Sequence, residues 1–306
     1  MKRPIRRLSY RFPANCLPAL SLAAVALGLA DPASGQAPAT DIFVADMSVD
    51  EGRITLSGWR NVTDRNEYDN QPSFMPDGGS LLYTSGRGGQ TDTYRYDLST
   101  GRSTPVTQTP ESEYSPTVMP GGQRFSAVRV EADSMQRLWS FALDGSSPQV
   151  LLTEVAPVGY HAWAAHDQVA LFVLGSPPTL QVADIRSGTA RQREESIGRS
   201  LHPIPGQLAV SFLHKGEEWW IKTLDLEMDR ITTIVRAVEG SEDYAWTPGG
   251  LLLMGSGSEL FVFDPSMDSD WRFVADLASE AITGVTRLAV SPTGTHLALV
   301  AVRPQG

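Results

Sequence analysis

Polar, charged and aromatic side chains recur in this 306-residue chain at intervals of about 44 residues. They are Asn70, Tyr114, Tyr160, Arg199, the pair Glu242 and Asp243, and Arg287, with His161 and Tyr244 beside two of them. Arginine reads a carboxylate through paired hydrogen bonds, and tyrosine adds contact area with a polar tip. Asn, Glu and Asp drawn from different segments are the oxygen donors that calcium takes, as in a calcium-dependent lactonase- or esterase-like hydrolase. The two chemistries conflict, because Arg199 and Arg287 bring positive charge to the place where a cation would sit. A peptide segment or a small polar ligand suits the whole set better. A rim that is merely solvated is the competing reading. These nine residues are the candidate binding set. No catalytic or metal-ligating residue is assigned, and calcium is the one cofactor left open.

Known catalytic motifs are missing. There is no G-x-S-x-G elbow, and "GSGSEL" at Gly255–Leu260 reads as a turn between strands. The five histidines, His161, His166, His202, His214 and His296, show neither H-E-x-x-H nor other ligand spacing. "DPSMDSD" at Asp264–Asp270 clusters carboxylates but lacks the glycine and the final glutamate of a calcium loop, so it reads as a solvated turn.

The elements that carry the candidate residues repeat. Segments starting at Phe74, Val118, Trp163, Pro203, Trp246 and Val290 align on a turn rich in Pro, Gly and Asp, at spacings of 44, 45, 40, 43 and 44 residues. Each is an apolar strand end, the turn, and an alternating apolar strand. A second hairpin follows, as in "TYRYDLSTGRSTPVT". Four antiparallel strands per repeat make one propeller blade. The candidate residues lie four and three positions ahead of each anchor, in what is predicted to be the loop leading into the innermost strand.

The chain starts in mid-repeat. "IFVADMSVDEGRITLSGW" aligns with the second hairpins, while the last repeat, from Arg287, stops after two strands. The expected fold is therefore all-β, a six-bladed propeller of four-stranded blades. Amino-terminal strands complete the last carboxyl-terminal blade and so remove two exposed sheet edges.

The stretch "QPSFMPDGGSLLYTSGRGGQTDTYRYDLSTGRSTPVTQTPESEYSP" resembles the TolB-like propeller family, with its "PDG" turn, aromatic strand ending in Asp, and "TG" turn. The resemblance is strong over residues 70–115 and weak in the third and fourth repeats, where "AAHDQ" and "IPGQ" replace the turn. It marks the fold specifically and the function poorly, because function sits in sites grafted on a fold. The α/β domain that precedes the TolB propeller has no room before Ile42 and no enzyme domain follows, so the expectation is the propeller alone.

Residues 1–35 read as a secretory signal peptide. Lys2, Arg3, Arg6, Arg7 and Arg11 precede the 14-residue apolar run Leu17–Ala30 and the small-residue segment "DPASGQAPA". An uncleaved anchor is the alternative, but the run is short of the ~20 residues a span needs. Residues 36–306 then form one domain, with 20 Lys+Arg against 34 Asp+Glu, a net charge of −14. That balance excludes a nucleic-acid footprint. Cys16 is the sole cysteine, so this domain has neither a disulfide nor a thiol nucleophile. The resulting expectation is a periplasmic or secreted, non-enzymatic, monomeric protein- or peptide-binding module.

Overall fold

The structure, a computed structural model, describes residues 38–302, so the leader assigned above lies outside the described residues. In chain order, β1 (Thr40–Asp50) and β2 (Arg53–Asn61) come first. Blade one is β3 (Asp69–Phe74), β4 (Ser80–Arg87), β5 (Gln90–Asp97) and β6 (Arg102–Pro105). Blade two is β7 (Ser112–Val118), β8 (Arg124–Val130), β9 (Gln136–Ala142) and β10 (Gln149–Val150). Blade three is β11 (Val158–Trp163), β12 (Gln168–Val173), β13 (Thr179–Asp184) and β14 (Thr189–Glu195). Blade four is β15 (Ile197–Pro203), β16 (Ala209–Lys215), β17 (Trp219–Asp225) and β18 (Arg230–Arg236). Blade five is β19 (Tyr244–Trp246), β20 (Leu252–Ser256), β21 (Glu259–Phe263) and β22 (Arg272–Asp276), followed by a short 3-10 turn. β23 (Thr286–Val290) and β24 (His296–Val302) end the described chain.

These strands form six four-stranded antiparallel sheets, and the sixth has the order β2-β1-β24-β23. Thr40 pairs with Val302 and Asp46 with His296, so the two ends of the described chain lie side by side in one sheet.

Turn chemistry explains the hairpins. After β3, Gly78 takes a φ of 70° and donates to Met75 O at 2.9 Å. Asp77 Oδ1 accepts from Gly79 N. In the second hairpin the strand-ending aspartate folds back on the turn. Asp97 accepts from Ser99 N and Thr100 N, and Asp184 and Asp225 each accept two backbone N–H groups in the same way. These bonds, with those of the Ser99 and Thr100 hydroxyls, hold the Asp97 carboxyl down to about 2.

The core lies between blades. One face of the shared blade, Ile42, Val44, Ala298 and Val300, packs on Phe74, Leu81 and Tyr83 of blade one. Its other face, with Met47, Ile54, Leu297 and Leu299, packs on Leu253, Leu260 and Val262 of blade five. Alternation along β1 lets it serve both interfaces, with Ile42 and Val44 on one face and Phe43 and Met47 on the other. Polar clamps add to the apolar contacts: Trp163 Nε1 donates to Ser126 Oγ of blade two, and Trp246 Nε1 to Ser211 Oγ of blade four.

Candidate binding site along the propeller axis

A cavity of about 840 Å³ runs along the axis and is lined by the first strand of all six blades. The candidate positions prove to be strand residues rather than loop residues, except that Glu242 and Asp243 precede β19. The register of β3, β7, β11, β15 and β23 shifts at or beside these positions. Gln71, Ser115 and Arg287 take φ values of 56°, 54° and 43° there. A bulge re-aims the side chain that a regular strand would send elsewhere.

Four of the nine candidates meet. Arg199 of blade four reaches Asp243 Oδ2 through Nη2 at 2.5 Å, and Arg287 of blade six reaches Asp243 Oδ1 through Nη1 at 2.6 Å. Arg287 Nη2 donates to the Tyr160 hydroxyl of blade three at 2.8 Å, and its guanidinium lies over the Tyr160 ring. Burial would raise the Asp243 carboxyl, but Arg287 and Arg199 overcome it and hold the group well below the usual carboxylate range.

Glu242 stands behind this network. Its Oε1 accepts from Arg199 N at 2.7 Å, and Lys215 Nζ lies 3.5 Å from its Oε2. The approach needs Gly198, where a Cβ would fall 2.6 Å from Glu242 Oε1. Asn70 turns inward, accepting from Gln71 N and donating to Thr40 Oγ1, and it stays buried. Tyr244 is fully buried and donates to Ser211 Oγ, so it is a clamp between blades rather than an open rim group. Tyr114 packs on the core between blades two and three. His161 lines the cavity, with Nε2 2.7 Å from Ser126 Oγ and Nδ1 unpaired among the described residues.

The donors considered for calcium are thus spoken for. Both Asp243 oxygens hold arginines, and Asn70 and Glu242 face protein donors. Among the described residues no group of three or more His, Cys, Asp or Glu side chains is placed to hold a metal ion.

Other lining residues are, in the sequence, only markers of the repeat. The anchors Phe74, Val118, Trp163, Pro203, Trp246 and Val290 all face the cavity. At its far end the turn prolines Pro76, Pro120, Pro205, Pro248 and Pro292 form a collar.

Burial pushes His161 down to about 3 and His202, whose ring packs at a tilt against Tyr244, down to about 4. Both stay neutral in the folded state while the unfolded chain takes up protons below about 6.5, so stability is lost as pH falls through that value. The expected loss is about 1.4 kcal/mol per pH unit for each histidine, between about pH 6.5 and 4. Urea unfolding at pH 6.5 and 5 checks it: His161→Gln and His202→Gln should each flatten the slope, and an unchanged slope would contradict the assignment.

No family model and no curated protein matches the sequence. Solved structures do match. A TolB-type protein of Agrobacterium tumefaciens superimposes with a TM-score of 0.69 at 16% identity, over 88% of this chain and 99% of that one. The fold is that of the TolB-type propellers. TolB of Acinetobacter baumannii matches at a TM-score of 0.55 and 13% identity, over 88% of this chain but 64% of that one. A gluconolactonase-type protein shares the propeller at a TM-score of 0.56 and 13% identity, over 80% of this chain and 91% of its own. The TolB-type fold therefore serves a protein of another class as well, and the fold alone does not separate binding from catalysis. No helix among the described residues is long and apolar enough to cross a membrane.

Proposed function

We propose that this TolB-type propeller is an exported, monomeric, non-enzymatic module that binds a protein or peptide partner of the cell envelope at its axial cavity, without a cofactor. The observation that carries the reading is the network of Tyr160, Arg199, Asp243 and Arg287, which brings side chains of four consecutive blades to one place. Ion pairs that serve stability alone do not have to converge on a cavity, whereas a rigid polar cluster inside one is suited to recognition. Export rests on the basic and apolar leader read in the sequence.

Affinity capture from an envelope extract of the source organism tests this reading. Arg199→Ala and Tyr160→Phe should each lower partner recovery, by about tenfold for Arg199→Ala. Asp243 keeps Arg287 in both variants, so the fold should persist. Recovery unaffected by either change would count against the site. The rival is a calcium-dependent lactonase- or esterase-like hydrolase, supported by the fold shared with the gluconolactonase-type protein. It requires a calcium-dependent rise in melting temperature, which the same preparation can show.

A further inference from the structure

The axial cavity carries a charge opposite to that of the chain. Among the described residues its charged lining groups are Arg199, Asp243 and Arg287, a net of +1, in a chain with a net charge of −10. His161 and His202, which also line it, are kept neutral by burial. Asp243 uses both oxygens on the two guanidinium groups, and Glu242, behind the lining, lies 3.9 Å from Arg199 Nε and 3.5 Å from Lys215 Nζ, so three cations face two carboxylates and the cluster keeps a net positive charge. Arg199 is the more open of the two, with 28% of its side chain exposed against 15% for Arg287. Its Nη1 makes no hydrogen bond to the described residues. A second cation would be repelled here, a doubly charged phosphate would leave excess negative charge, and a single carboxylate balances the site.

The rest of the lining limits what that carboxylate is attached to. From Gln71 to Phe74 the cavity follows the second half of β3, about 10 Å at ~3.3 Å per residue, and it continues to Pro76 in the turn. Along it the lining changes from the charged cluster to Phe74, Trp163 and Trp246, and then to the turn prolines. Gln71 and Ser73 are partly exposed lining residues, and an extended peptide supplies amide donors and carbonyl acceptors for such polar side chains.

We propose that the cavity takes the free carboxyl end of an uncharged, extended peptide segment, with the terminal carboxylate on Arg199 and the chain running toward the proline collar. This rests on the binding reading above. A terminal carboxylate needs one open end of the cavity, whereas an internal Asp or Glu would need room for the chain on both sides of it.

Pooled random hexapeptides, prepared as free acids and as carboxyl-terminal amides, test it by affinity selection and mass spectrometry. The acid pool should be recovered at least about tenfold better than the amide pool. Arg199→Gln should remove the difference and Arg199→Lys should keep part of it, with the near-UV circular dichroism of each variant checking that it is folded. Equal recovery of acids and amides would overturn the carboxyl-end assignment and leave the binding reading standing. Recovery of neither pool would sink both. Displacement of the acid pool by hexanoate at equal concentration would overturn the peptide in favour of a small carboxylic acid.

Discussion

Asp243→Asn should lower the unfolding free energy by about 3–5 kcal/mol, the usual cost of removing one partner from a buried ion pair. For a domain of this size that is a fall of about 6–15 °C in melting temperature. The swap keeps the shape of the side chain, so no cavity is created and the effect is electrostatic. Asp243 is 4% exposed and its two oxygens neutralise two guanidinium groups that otherwise face each other. Adding Arg199→Gln to the variant should recover part of the loss, because one uncompensated cation is then gone. Calorimetry of the single and double variants measures this coupling. A melting temperature within about 2 °C of the parent for Asp243→Asn would show that solvent screens the cluster.

Removing residues 38–63 should abolish cooperative unfolding altogether. The deletion takes away β1 and β2, and with them the buried side chains Ile42, Val44, Met47 and Ile54. At roughly 1.5–3 kcal/mol for each side chain, the lost burial amounts to about 6–12 kcal/mol, as large as the whole stability of a typical domain. It also bares the β24 edge along Leu297 to Val300, which is now paired with β1. An apolar strand with free backbone groups associates with other chains, so light scattering should rise as the cooperative transition disappears. A synthetic peptide of residues 38–63, added in trans, should restore the transition. A truncated chain that melts like the parent would show that β1 contributes little to the ring.

The fold was largely legible because the turns repeat with their chemistry intact. "PDG" and "PGG" mark the first hairpin of three of the six blades, and the aspartates that accept turn amides mark the second. The site was legible only as a set of positions. Residue type showed that Asn70, Glu242 and Tyr244 are polar, but not that their side chains turn into the protein. Facing is set by register, and here register shifts at non-glycine residues such as Gln71, Ser115 and Arg287, which carry no local signal for positive φ. The meeting of Tyr160, Arg199, Asp243 and Arg287 depends on how four blades are spaced around an axis, which no local pattern records. Trp163 and Trp246 show the reverse case. They were noticed as anchors of the repeat, yet they both clamp neighbouring blades and face the cavity.

The shared blade also fixes the order of events as the chain is made. Of the described strands β1 is the first to leave the ribosome and its partner β24 follows all the others, with synthesis proceeding at roughly 5–20 residues per second. Until then β1 and β2 can form only an isolated hairpin, which is marginally stable in water. Five blades can stack while the sixth waits, so the ring stays open and deformable until β24 emerges. The contact that completes it has close to the largest sequence separation the described chain allows, which places closure late and makes it slow. Of the described strands, the first made is the last to be locked in.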